Sequence, residues 1–155
     1  MSGNLFIDIQ DAELQRALQT AALRLDNLSP LMADVASQLE QNVNLRLDAG
    51  VGADGNPLAP RSEVTIALYQ RRFGTVPGKV LQLTGRMAQS LSSGSGRDFA
   101  EVGFATDYAG YHVTGTKKMP RRDVLTANPL TGLLGEDDRQ DILALTLQYI
   151  DGALG

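Results

Sequence analysis

The chain has no cysteine, so it can form no disulfide, offers no thiolate to a metal and has no cysteine nucleophile. It has one histidine, His112, and no acidic residue sits beside it at metal-ligand spacing, which leaves a zinc site without its partners. No apolar run approaches the ~20 residues that a membrane span requires. The apolar stretch at 5–9 is too short for a secretory leader; no membrane partner is expected, and the host cytoplasm is the expected place of synthesis. Positive charge is not in excess either. Lys and Arg number 14 against 18 Asp and Glu, for a net charge of -4 and an isoelectric point near 4.9. Wholesale nucleic-acid binding is therefore disfavoured, because counterion release wants a basic footprint.

What is present suits one packed unit. At 155 residues with 43% hydrophobic content, a single domain over 1–155 is expected. A chain of this length buries roughly two thirds of its unfolded surface and needs no disulfide or metal to fold.

Residues 5–10 have strand character. Asp11 reads as the N-cap of a helix to about Asp26, with Leu14, Ala17, Leu18, Ala21, Leu25 and Leu28 along one stripe. Ser29-Pro30 restarts the chain with a cap and a first-turn proline. The second helix carries Met32, Val35, Ala36, Leu39, Val43 and Leu47 on one face and stops at Gly50. The short joint makes the two a hairpin or an angled pair. Ser62 caps a third helix to Arg72. Thr84 is expected to cap a fourth, with Leu83, Met87 and Leu91 on one side. Ser92 to Gly96 is small, polar and expected to be mobile. Phe99 to Phe104 alternates as a strand with Ala100, Val102 and Phe104 on one face. Residues 119–125 read as a further strand or an extended arm. The final helix, 136–150, bears two adjoining stripes: Ile142, Leu145 and Tyr149, then Leu143, Leu147 and Ile150. So wide a stripe is expected to be buried on two sides, in part by a neighbouring subunit. The order of elements predicts an α+β fold: an N-terminal helical pair, a small, mostly antiparallel sheet, a long C-terminal helix, and an extended arm and loops.

Gly50, Gly52 and Gly55 match G-x-G-x-x-G. A dinucleotide site needs that motif between a strand and a helix. Here it follows a helix, and Pro57 and Pro60 block one behind it, so it reads as a loop and no cofactor is expected. His112 could serve a nucleophile only with a serine beside it and a third residue to orient it. The plainer reading makes Tyr108, Tyr111 and His112 amphipathic residues of a short helix or turn. Glu136, Asp137 and Asp138 in one first turn are explained by the helix dipole. Lys117, Lys118, Arg121 and Arg122 form the densest basic cluster. It is either a solvated arm or an arm that pairs with acidic groups on an adjacent subunit, for which arginine's planar fork is suited.

The ordered set Leu81-Gln82-Leu83-Thr84-Gly85-Arg86-Met87-Ala88-Gln89-Ser90-Leu91, Val102-Gly103, Tyr108-Ala109 with His112 and Gly115, and Met119-Pro120-Arg121-Arg122 resembles the bacteriophage virion morphogenesis family. That family includes tail-completion and neck proteins similar to the G protein of phage Mu. The likeness runs over roughly 50–142. It departs where members commonly carry tryptophan, since Leu58 stands near that place and the chain has no tryptophan.

The resemblance implies a structural virion protein at the head–tail junction and not an enzyme. It implies a ring of itself, commonly of six or twelve copies, that completes the tail or neck and joins it to the head. Expected partners are copies of the chain, adjacent neck, connector and tail proteins, and DNA passing through the channel. Within such a ring, Lys117, Lys118, Arg121 and Arg122 are the expected contact residues, with Tyr108 and His112 anchoring the base of the arm. A small prophage-encoded DNA-binding regulator is the alternative. A hydrolase built on His112 is the more distant one.

Overall fold

The computed structural model describes residues 5–7, 11–24, 27–76, 78–82 and 85–154. Helix starts and stops follow local chemistry. Asp11 Oδ1 accepts from the backbone N–H groups of Glu13 and Leu14 at 3.1 and 3.3 Å, satisfying two of the donors that a helix start leaves open, and α1 runs Ala12–Arg24. The next helix, α2 (Ser29–Ala49), carries Pro30 in its first turn and ends on Gly50 in the left-handed region at φ 70°. Ser29 is its first residue and not its cap: Leu28 stands at the cap position and makes no side-chain cap bond, while Asn27 Oδ1 accepts from Ser29 N at 3.0 Å. In α3 (Glu63–Phe73), Ser62 Oγ accepts from Thr65 N at 3.2 Å and Gly74 closes the end at φ 72°.

The sheet is three-stranded and antiparallel, with β3 (Ala100–Phe104) between β1 (Leu5–Ile7) and β2 (Leu91–Ser95). Phe104 stands opposite both Leu5 and Leu91 in register. Ala100, Val102 and Phe104 are buried together, as the period-two pattern requires. Helix α2 lies on β2 and β3 with one flank and on α6 (Glu136–Leu154) with another, and α1 packs on α6 too. All six residues of the expected α2 stripe are buried, each contributing roughly 1.5–3 kcal/mol for the larger side chains. The architecture is thus α+β, with a helical pair, a small sheet and a long final helix.

Three further expectations change. The fourth helix is only α4 (Arg86–Gln89), capped by Gly85 at φ 73°, and Leu91 begins β2 instead of continuing it; Leu83 and Thr84 lie outside the described residues. The Ser92–Gly96 stretch is mostly strand, because β3 supplies the ladder and Ser93 Oγ donates to Glu40 on α2. Residues 119–125 form neither a strand nor a free arm: Arg122 to Thr126 are buried. In α6, Ile142 is buried and Leu145, Tyr149 and Ile150 pack on the core, while Leu147 is exposed, so within the monomer only part of the wide stripe is covered. Of the α1 stripe, Leu14 is buried and Leu18 packs on the core, while the side chains of Ala17, Ala21 and Leu25 lie outside the described set.

A buried polar knot ties three distant segments together. Arg46 pairs with Asp138 at 2.7 Å and donates to Val124 O at 3.1 Å. Asn42 Nδ2 donates to Asp138 and Asp141, both at 2.9 Å. Burial is the first influence on the Asp138 carboxyl and raises its pKa, against the pull of Arg46 and Asn42. The dipole alone therefore does not account for the acids at the start of α6. Gly135 sits where a Cβ would fall 2.2 Å from Ala53 O, which fixes the 50–60 loop against the root of α6.

Candidate functional site

The segment 119–126 is shaped by its own side chains. Asp123 Oδ1 accepts from Leu125 N and Thr126 N, both at 2.8 Å, a turn held by a local carboxylate. Arg121 reaches Asp123 at 3.3 Å and donates to Ala127 O at 2.8 Å. Arg122 N donates to His112 O at 2.6 Å, and its guanidinium donates to Ala59 O and Pro60 O, both at 2.7 Å. The segment therefore clamps α5 (Ala109–Thr114) to the 50–60 loop.

Between that clamp, α3 and α4 lies a groove of ≈ 470 Å³. Arg61, Arg86, Lys118 and Arg122 line it, and no Asp or Glu appears among its described lining residues. Arg61 donates to Gly78 O at 3.2 Å and Lys79 O at 2.5 Å, and its guanidinium lies 5.4 Å from the Tyr69 ring centroid, within cation–π range. Leu81, Met87 and Met119 supply apolar wall. Leu81 holds φ 68°, a conformation that costs a bulky residue free energy.

The groove keeps positive charge close together. Burial, and then the Arg61 charge, lower the Arg122 pKa from its ordinary value, yet a guanidinium stays ionised at neutral pH. Burial first, then Arg122, lowers the His112 pKa below its usual 6.5. The His112 Nδ1 is buried with no hydrogen-bond partner among the described residues, so no carboxylate orients the ring as a base. Tyr108 meets His112 edge-on with centroids 6.2 Å apart.

Of the residues singled out from sequence, Tyr108, His112, Lys118 and Arg122 line this one groove. Lys117 stands exposed on the adjoining turn. Arg121 is spent on the 121–127 turn instead. Arg61, Tyr69, Leu81 and Arg86 were not singled out as site residues. For Leu81 and Arg86 a signal existed, since Leu81, Gly85, Arg86, Met87, Tyr108, His112, Met119, Pro120 and Arg122 all belong to the ordered motif set and all line the groove. Scattered over some forty positions, those motif pieces are brought together by the fold. Beside them, α3 has no buried residue, and it exposes Val64 at 79%, with Leu68 and Phe73 about half exposed.

No group of three or more metal-ligating side chains occurs among the described residues, and none of the described helices is long and apolar enough to cross a membrane. A family model described as the phage virion morphogenesis family matches residues 9–151. No curated protein and no solved structure matches the chain.

Proposed function

The chain belongs to the phage virion morphogenesis family, and from that premise we propose that it is a structural protein of the head–tail junction, a homo-oligomeric ring that completes the tail or neck and joins it to the head. The observation that carries this reading is α3: eleven residues long, with none buried and two apolar residues, Val64 and Leu68, exposed one turn apart. A helix with no fully buried residue, and only Thr65, Ile66 and Tyr69 partly covered, gains little from tertiary packing, and an apolar face of this kind is a contact surface for another chain. The basic groove beside α3 supplies the polar part of that surface, with Lys117 and Lys118 at its rim, Tyr108 and His112 in its wall, and Arg121 and Arg122 holding the segment in place. The role is binding. No chemical step is assigned to His112, whose Nδ1 meets no orienting group among the described residues.

The test is mass by light scattering after size exclusion, for the protein alone and mixed with purified tails, repeated with Val64→Asp and Leu68→Asp. The unaltered chain is expected to form a discrete ring or to shift onto tails. The two variants are expected to keep their melting behaviour, within about 0.5 kcal/mol as for exposed sites, and to lose that association. A chain that ignores tails and binds DNA in a salt-dependent way would replace this reading with the regulatory one.

A further inference from the structure

We propose that the basic groove is the socket for the 127–137 segment of a neighbouring copy, with Leu130 seated on its apolar wall and Glu136 and Asp137 facing its cations. This rests on the ring reading above and specifies the contact that would build the ring.

Both halves of the contact are present in one chain. Leu130 is 94% exposed, so it does not occupy its own chain's groove. It stands at the tip of a short hairpin closed by the Asn128–Leu133 bridge and by Ala127 N donating to Leu133 O at 2.8 Å. Asn128 Oδ1 accepts from Leu130 N at 3.0 Å, and Pro129 restricts the backbone beside it. The tip is thus held in shape before it meets a partner, which lowers the ordering cost of binding. Leu133 is exposed as well, and Glu136 and Asp137 follow, exposed, in the first turn of α6. An apolar knob followed by carboxylates is complementary to a groove with an apolar wall and the cations of Arg61, Lys118 and Arg122.

The socket has matching dimensions and charge. Its ≈ 470 Å³ lies in the range that accepts a few side chains. Arg61 and Arg122 donate to backbone carbonyls, which fix the guanidiniums in place without neutralising them. Carboxylates brought to that rim gain attraction and relieve the crowding of like charge. Knob and socket are different surfaces, so the contact is head-to-tail, and such contacts close into rings when the rotation permits.

Because the chain has no cysteine, a single introduced thiol is unique. Lys118→Cys and Leu130→Cys are made separately in the full chain, at exposed positions, carried on tags of different mass, mixed in equal amounts and oxidised. The expected result is a mixed disulfide in several-fold excess over either homodimer. Adding Glu136→Lys and Asp137→Lys to the Leu130→Cys chain is expected to reduce it, as is high salt, which screens the rim charges. Gln41→Cys, on the exposed side of α2, replaces Leu130→Cys as the control. A statistical mixture of disulfides, or no more mixed product than the Gln41→Cys control gives, overturns the proposal. Light scattering on the unaltered chain separates the two ideas. Rings or tail binding without the 118–130 disulfide discard this contact alone, whereas the absence of rings, tail binding and disulfide discards the ring reading with it.

Discussion

Arg122 and Lys118 lie four positions apart in one basic cluster, yet burial gives them opposite roles. Arg122 is 8% exposed and donates to two backbone carbonyls. Its removal leaves those oxygens short of a donor, so Arg122→Ala is expected to cost roughly 2–4 kcal/mol in a urea melt. Lys118→Glu is expected to leave that melt unchanged and to stop assembly onto tails. Equal melting of the two variants would show that the clamp contributes nothing. Burial raises the pKa of the Asp138 carboxyl and so favours the folded chain as the pH falls. His112, the chain's one histidine, has an ordinary pKa between the carboxylates and neutrality and acts the other way. Its folded pKa lies below 6.5, from burial and then from Arg122. The unfolded chain therefore binds more protons in that window, and stability, fully present above pH 6.5, is lost as the pH falls toward the depressed value. Unfolding free energies measured at intervals from pH 7 to 5 are expected to decline for the unaltered chain and to flatten in His112→Gln. An unchanged slope in the variant would assign the decline to other groups.

At the scale of elements, what could be read in the sequence follows from whether the deciding force is local. Asp11, Ser62 and Gly50 mark helix ends by chemistry confined to a few neighbours, and those ends stand where the sequence puts them. The α2 stripe and the alternation of Ala100, Val102 and Phe104 were legible because a single buried face imposes its period. β2 was not. Leu91-Ser92-Ser93-Gly94-Ser95 has little intrinsic strand preference, and its conformation is set by β3, which it meets in register from Leu91↔Phe104 to Ser95↔Ala100. The same long-range pairing ends α4 after Gln89, so a helical spacing of Leu83, Met87 and Leu91 could not reveal it. Residues 121–126 misled for the converse reason. Their charged letters suggest solvent, but Asp123 turns the backbone inward, and Arg122 is buried because carbonyls of a loop some sixty residues earlier receive it. The candidate site was half legible on the same grounds: Tyr108, His112, Lys118 and Arg122 cluster in sequence, whereas Arg61 joins them only through the fold.

Across the whole molecule, the Arg46–Asp138 pair decides whether helices and loops behave as one body. Arg46 belongs to α2, Asp138 to α6, and the carbonyl of Val124 to the clamp that shapes the groove. The side chains of the pair are 10% and 2% exposed, so neither charge can turn to water when its partner is lost. A buried ion left alone is destabilising by about 3–5 kcal/mol, while an apolar replacement of both partners is often close to neutral. We therefore expect Arg46→Met to lower the midpoint of a single thermal transition, and Arg46→Met with Asp138→Leu to recover much of the loss. For a single domain over 1–155, the calorimetric and van't Hoff enthalpies are expected to agree. In Arg46→Met that agreement is expected to persist at the lower midpoint, because the groove, the 50–60 loop and α6 lose their shared anchor together. Two resolved transitions in the variant, with the clamp region melting first, would mean that the groove is stabilised separately from the helices beneath it.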